Sequence, residues 1–183
     1  SQRAFRERSG ANARRIADLL VSLYKEQGAG ARVLDLQDLP QEVFLPAAYA
    51  ARPAALDPIQ RRVLEAGGLH IVTPEYNGSF PGVLKYFIDL LKFPESFEGR
   101  PVAFTGEAAG LWGALRSVEQ LQMIFAYRNA AALPERVFIP RVHTRFDEKG
   151  RFVDDEILAL LRDQTRRFIE FTRRHTAAAP PSH

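Results

Sequence analysis

Three segments of the sequence combine glycine with polar side chains in a way that suits a small anionic ligand. Residues 1–12 contain three arginines, two serines and a glycine, residues 73–82 read TPEYNGSFPG, and residues 105–113 read TGEAAGLWG. Exposed backbone N–H groups in such segments can hydrogen-bond a phosphate or the edge of a flat heteroaromatic ring. The sequence therefore predicts a ligand site built largely from loop backbone.

The first of these segments is the basic end of the chain. Residues 1–15 carry five arginines and one glutamate, a local charge of +4 against +3 for the whole chain. Such a local concentration indicates a small anion at a helix start rather than a long nucleic-acid track. The alternative is a simple helix cap by Ser9 or Asn12. The segment matches neither the P-loop pattern nor G-x-G-x-x-G.

The composition excludes several other kinds of chemistry. The chain of 183 residues has no cysteine, which excludes a thiolate nucleophile, disulfides, iron–sulfur clusters and Cys-based zinc sites. Only four histidines are present, so a His-rich metal site is not expected. With 46% hydrophobic and 26% charged residues, the composition is typical of a globular domain. No apolar stretch of about 18 residues and no secretory leader is visible, so we expect a cytoplasmic protein without membrane or nucleic-acid partners.

Helical and strand patterns alternate along the chain, and they must position the three segments. Apolar spacing predicts helices near residues 16–23, 56–66, 83–91, 114–127 and 154–174. Apolar and β-branched runs predict strands at residues 31–36, 69–73, 101–105 and 136–139. This alternation predicts a parallel sheet covered by helices on both faces. The chain opens in a loop, so we expect a further strand before Ser1, at the centre of the sheet.

The motifs together resemble one enzyme family. S-x-R near the N-terminus, TPEYNGSFPGVLK at 73–85 and GLWGALR at 110–116 are similar to the NAD(P)H-dependent FMN reductases, which include quinone, chromate and azo-dye reductases. The resemblance covers nearly the whole chain. It implies an α/β, flavodoxin-like fold with a doubly wound parallel five-stranded sheet of order 2-1-3-4-5, whose first strand is missing here. It also implies a single FMN-binding domain over 1–175 and a flexible tail at 176–183.

The resemblance further implies which residues contact FMN. The phosphate would be bound by the first loop, through Ser1, Arg3, Ser9, Ala11 and Asn12. This loop is longer than the family's, so Ser9 and the Ala11–Asn12 pair are alternatives for the phosphate contact. The isoalloxazine ring would be lined by Pro74, Glu75, Tyr76, Asn77 and Gly78, and on its other side by Thr105, Gly106, Glu107 and Gly110. The third loop also departs from the family's by one extra residue.

The implied activity is electron transfer from NADPH or NADH through FMN to a quinone, free flavin or similar small-molecule acceptor. The cofactor carries the chemistry, so no catalytic side chain or metal is expected. His70 alternates with apolar neighbours and is interpreted as structural, whereas Tyr76 and Trp112 are candidates to border the nicotinamide or quinone. The resemblance implies a homodimer or homotetramer. Two alternatives stay open: an electron carrier without nicotinamide turnover, and a cofactor-free binding or regulatory subunit.

Overall fold

One parallel sheet organises the chain. The computed structural model describes residues 12–178. Its strands are β1 (Leu69–Pro74), β2 (Pro101–Glu107) and β3 (Ala131–Ile139), hydrogen-bonded in the order β1-β2-β3. Both strand pairs are parallel, and every residue of the central strand β2 is buried. Parallel neighbours need crossover connections, and helices provide them here.

The helices begin and end close to the predicted positions. They are α1 (Asn12–Glu26), α2 (Asp57–Glu65), α3 (Gly82–Leu90), α4 (Leu115–Tyr127) and α5 (Asp155–Ala178). The last helix thus runs three residues into the segment predicted as a tail, and residues 179–183 lie outside the described part of the chain. Within residues 12–178, no helix combines the length and apolar character needed to cross a bilayer.

Two hydrophobic cores lie on opposite faces of the sheet. On one face, Val102 and Phe104 of β2 pack in a cluster with side chains of α2, α3 and α4. On the other face, Ala103 packs with Ile16 of α1 and Leu161 of α5. Successive side chains of a strand point to opposite faces, which explains this division. The predicted parallel sheet with helices on both faces is confirmed.

The prediction of a strand at residues 31–36 is wrong. Residues 31–35 have no regular structure, and a short 3-10 turn follows at Leu36–Asp38. Leu34 and Leu36 pack against the core, and the carbonyl of Val33 accepts a hydrogen bond from Arg62. A strand requires a hydrogen-bonded neighbour, and the outer edge of β1 has no strand partner within residues 12–178. The described sheet therefore has three strands.

A chain of buried hydrogen bonds ties both helices of one layer to the sheet. His70 of β1 contacts the Tyr24 hydroxyl through Nδ1 and the Thr105 hydroxyl through Nε2, each at 2.8 Å. Thr105 donates to Gln164 Oε1 at 2.8 Å, and Gln164 Nε2 donates to the carbonyls of Phe104 and Glu135. Because Thr105 uses its own proton on Gln164, His70 must donate from Nε2 and accept at Nδ1. We call these four side chains (Tyr24, His70, Thr105 and Gln164) the buried network.

Candidate functional site

The second and third glycine-containing loops leave the same edge of the sheet. The strand register pairs Pro74 with Glu107 and Glu107 with Ile139, so β1, β2 and β3 end side by side. The second loop follows Pro74 and the third follows Glu107. In open α/β sheets, ligands bind beyond the carboxyl ends of the strands. The structure thus brings these two predicted loops together where a ligand site is expected.

The helix that follows the first loop reaches the same edge. Asn12 is the first described residue of α1, and the backbone N–H of the next residue, Ala13, lies close enough to the carboxyl of Glu107 to lower its pKa. This contact places the N-terminus of α1 beside the end of β2. The side-chain oxygen of Asn12 accepts a hydrogen bond of 3.5 Å from Arg15. The predicted phosphate-binding residues Ser1, Arg3, Ser9 and Ala11 lie outside the described residues.

The second loop contains a tight two-residue turn. Tyr76 and Ser79 exchange backbone hydrogen bonds of 2.8 and 3.1 Å, and the residues between them, Asn77 and Gly78, have φ of 53° and 75°. Asparagine and glycine tolerate such left-handed backbone best. The N–H groups of Asn77 and Gly78 have no acceptor within residues 12–178. They are therefore available to a ligand.

Gln120 of α4 holds this turn in place. Its Oε1 accepts a hydrogen bond of 2.6 Å from the Ser79 hydroxyl, and its Nε2 donates to the Gly78 carbonyl at 3.1 Å. Sequence reasoning missed Gln120. The sequence feature that could have indicated its role is a side-chain amide on the helix that follows the third loop.

The third loop folds back tightly onto the strand ends. A Cβ at Gly106 would lie 2.5 Å from the carbonyl oxygen of Gly113, and a Cβ at Gly113 would lie 2.7 Å from the backbone nitrogen of Ile139. Any side chain would therefore separate the loop from the sheet. At the tip of the loop, a Cβ on Gly110 would meet nothing within 4 Å, and Trp112 is 66% exposed.

Two acidic side chains dominate the described part of the site. Glu107 is only 6% exposed, and burial raises its pKa to about 7, an effect partly offset by the Ala13 hydrogen bond. Glu75 Oε1 lies 3.9 Å from the guanidinium of Arg116, while its buried Oε2 has no hydrogen-bond partner within residues 12–178. The predicted arginine-rich counterpart lies in residues 1–11.

The predicted side chains contribute unequally. The Thr105 hydroxyl is fully buried and is used within the buried network, so it is not available to a ligand. Tyr76 and Trp112 are both exposed, one on each loop, as expected for residues that border an open slot. His70 lies in the buried network, and burial lowers its pKa to about 4, so it is neutral and structural at ordinary pH.

The described architecture is a parallel α/β sheet with glycine-containing loops at the carboxyl ends of its strands, an arrangement that flavodoxin-like proteins share. Comparison with known proteins agrees. The structure matches FerB of Paracoccus denitrificans, a flavoenzyme NAD(P)H:(acceptor) oxidoreductase, with a TM-score of 0.74 over 89% of this chain and 90% of that one, at 23% identity.

Sequence comparison identifies the family. Residues 6–144 match the model of the NADPH-dependent FMN reductases, and this chain belongs to that family. It is 33% identical to an NAD(P)H-dependent FMN reductase of Pseudomonas aeruginosa over 126 residues, 67% of this chain and 68% of that one. It is 32% identical to a quinone reductase of Escherichia coli over 126 residues, 67% of each chain. The predicted class, an NAD(P)H oxidoreductase with FMN as cofactor, is confirmed at the level of the family.

The described residues fit FMN. The first turn of α1 offers N–H donors to a phosphate, because the first N–H groups of a helix lack intrahelical acceptors. The open N–H groups of Asn77 and Gly78 suit the polar edge of a ring system. Close glycine contacts hold the third loop against the strand ends, and Glu75 has a buried carboxyl oxygen without a hydrogen-bond partner among residues 12–178.

Proposed function

We propose that this chain binds FMN at the carboxyl edge of the sheet and passes electrons from NADPH or NADH to a quinone, free flavin or similar acceptor. The observation that carries the proposal is the meeting of three elements at one place: the ends of β1 and β2 and the N-terminus of α1. The names of the relatives, an FMN reductase and a quinone reductase, support the choice of acceptor.

The protein's part in this reaction is binding and orientation. The bound FMN would accept hydride from the nicotinamide and release electrons to the acceptor, as flavins do. The N-terminus of α1 and the first loop, with Ser1, Arg3, Ser9, Ala11 and Asn12, would bind the phosphate. The backbones of residues 74–78 and of Thr105, Gly106, Glu107 and Gly110 would hold the ring.

In this proposal residues 1–175 belong to one domain, whose full sheet has five strands in the order 2-1-3-4-5. The support is the outer edge of β1, which has no strand partner within residues 12–178. Unpaired edges of a sheet readily accept another strand. Residues 31–35 run beside the core without regular structure, and a neighbouring strand would give them a pairing partner.

We also propose a homodimer or homotetramer in the cytoplasm. Large apolar side chains are exposed on α4 and on the segments next to it: Phe93, Leu111, Trp112, Met123 and Tyr127. Tyr127, the last residue of α4, is 82% exposed, a high value for a large aromatic side chain. Association through α4 would bury this surface beside the third loop.

The proposed function is tested with the purified protein, FMN and both nicotinamides. We expect FMN to bind with quenching of its fluorescence, and NADPH or NADH to bleach the bound flavin. Added quinone should then restore the oxidised spectrum over many turnovers. Bound flavin that stays oxidised with both nicotinamides would instead indicate a carrier, and absence of flavin binding would contradict the proposal altogether.

A further inference from the structure

The tight turn of the second loop contains an Asn-Gly pair whose chemistry differs from that of the other asparagines. The sequence has three asparagines, Asn12, Asn77 and Asn129, and glycine follows only Asn77. A backbone nitrogen can attack the side-chain amide of the asparagine before it, and a side chain on the attacking residue hinders this approach. Glycine has no Cβ, so Gly78 provides the least hindered of the three nitrogens.

The structure leaves both reacting groups of this pair free. The Asn77 side chain is exposed, and the Gly78 N–H has no hydrogen-bond acceptor within the described part of the chain. Asn129 offers a direct comparison, since it is also exposed and has a φ of 60°. The nitrogen that follows it belongs to Ala130, however, and donates to the Phe125 carbonyl at 3.0 Å. Of these two exposed asparagines, Asn77 is therefore the reactive one.

Hydrogen bonds on both sides of the pair restrain the reaction. Formation of a cyclic imide requires rotation about the bond between Cα and the carbonyl carbon of Asn77, which turns the Gly78 nitrogen towards the side chain. Tyr76 and Ser79 close the turn with backbone hydrogen bonds of 2.8 and 3.1 Å. Gln120 adds contacts of 3.1 Å to the Gly78 carbonyl and 2.6 Å to the Ser79 hydroxyl. The rotation therefore requires local opening of the turn.

We propose that Asn77 is a site of spontaneous deamidation and that Gln120 limits its rate by holding the turn closed. The Gly78 nitrogen bonds to the side-chain carbonyl carbon of Asn77 and loses its proton, and the side-chain nitrogen leaves as ammonia. Water then opens the cyclic imide at either of its C–N bonds, which gives aspartate or isoaspartate. No electrons are transferred, and water is the only co-reactant. This inference concerns a covalent modification and does not depend on the proposed function.

Conversion would change both the charge and the backbone of the second loop. The product carries a carboxylate in the same loop as Glu75, whose buried Oε2 already lacks a hydrogen-bond partner among residues 12–178. Isoaspartate also lengthens the main chain by one carbon atom, which disrupts the present pairing of Tyr76 with Ser79. Gln120 thus protects the shape of this loop as well as holding it in place.

The test follows deamidation of the folded protein by peptide mass spectrometry during incubation in mildly alkaline buffer. The wild type is compared with Gln120→Ala and with Gln122→Ala, a matched control whose amide on the same helix accepts a hydrogen bond from Arg136. We expect Gln120→Ala to convert Asn77 at least roughly fivefold faster than the wild type, because the loss of two hydrogen bonds favours the open turn. Gln122→Ala should match the wild type.

A milder variant tests the same contact if Gln120→Ala disturbs the fold. Ser79→Ala removes only the hydrogen bond to Gln120 Oε1 and should convert Asn77 at a rate between those of the wild type and Gln120→Ala. Asn129 is an internal control in every sample and should stay unmodified while Asn77 converts, because the nitrogen that follows it is engaged. The synthetic peptide TPEYNGSFPG, residues 73–82 without the support of the fold, sets the time scale.

Three outcomes would overturn the proposal. Equal rates at Asn77 in the wild type, Gln120→Ala and Ser79→Ala would contradict the protective role of Gln120. An Asn77 that is still intact in Gln120→Ala when the peptide has fully converted would contradict the modification itself. Conversion of Asn129 at the same rate as Asn77 would show that the free Gly78 nitrogen does not select the site.

Discussion

Thr105 and Glu107 lie two positions apart on the same buried strand, yet their polar groups are used very differently. The Thr105 hydroxyl both accepts and donates within the buried network, where it contacts His70 and Gln164. The Glu107 carboxyl is almost as deeply buried, yet burial raises its pKa to about 7, and the nearby N–H of Ala13 offsets this effect only in part. Buried polar groups with all their hydrogen bonds made stabilise a fold, whereas incompletely paired ones at a strand end indicate a ligand.

The comparison therefore divides β2 into a scaffold part and a functional part. Tyr24 and Gln164, on α1 and α5, meet the sheet at the scaffold part, which fixes both helices relative to β1 and β2. The N-terminus of α1 then projects to the functional part beside Glu107. The placement of the helix end that we propose to bind the phosphate is thus a consequence of hydrogen bonds made farther along the same helix.

Removal of Gln164 should have the largest effect on stability. Gln164→Ala leaves the Thr105 hydroxyl and the carbonyls of Phe104 and Glu135 without this partner in the core. Each unsatisfied buried group costs about 1–3 kcal/mol, so we expect a loss of roughly 3 kcal/mol or more in the free energy of unfolding. Urea denaturation measures it. A loss below about 1 kcal/mol would show that the network is not a scaffold.

The pH dependence of stability should be the next largest effect. Burial lowers the pKa of His70 from 6.5 to about 4, so the unfolded chain binds the proton more readily. Neutral His70 contributes fully to the free energy of unfolding above pH 6.5, and this contribution is lost as the pH falls from 6.5 through about 4. At 1.36 kcal/mol per pKa unit, this amounts to about 3 kcal/mol at most.

Glu107 should act in the opposite direction. Its folded-state pKa of about 7 exceeds the ordinary 4.5. Its contribution to the free energy of unfolding is therefore complete below pH 4.5 and is lost as the pH rises through about 7. Denaturation curves at a series of pH values, for the wild type, His70→Gln and Glu107→Gln, separate the two. If both variants keep the wild-type pH profile, the contrast between scaffold and functional parts fails.

The smallest effect is expected at Gln120, which contacts only the second loop. Gln120→Ala removes two hydrogen bonds to Ser79 and Gly78 and should leave the free energy of unfolding within about 1 kcal/mol of the wild type. The looser turn should weaken FMN binding by about three- to tenfold, as expected for the loss of roughly 1 kcal/mol of preorganisation. Fluorescence titration measures this affinity. Unchanged affinity would remove the Asn77–Gly78 turn from the flavin site.

Local sequence patterns sufficed for most of the fold. Apolar spacing located the five helices of residues 12–178, and strand propensity located β1 and β2, because these signals depend on neighbouring residues. The start of β3 was missed by several residues, since Pro134 and Glu135 interrupt the apolar run at an irregularity in the pairing with β2. Residues 31–36 have strand propensity, but propensity does not supply the neighbouring strand that pairing requires.

The site was predictable in outline but not in its contacts. Proline and glycine residues after two of the predicted strands indicated the positions of the second and third loops. The approach of Ala13 to Glu107 and the support of the second loop by Gln120 join residues far apart in the chain. No local pattern reveals such pairs. The pKa of Glu107 also depends on burial by the assembled fold.

The two close glycine contacts of the third loop have an evolutionary consequence. Gly106 and Gly113 fix the ends of the loop against backbone atoms, so neither position tolerates a larger residue. The residues between them are less restricted, because Gly110 faces open space and the neighbouring Leu111 and Trp112 are exposed. Natural variation in this family should therefore accumulate at the tip of the loop, where new acceptors could be accommodated without any rearrangement of the strands below.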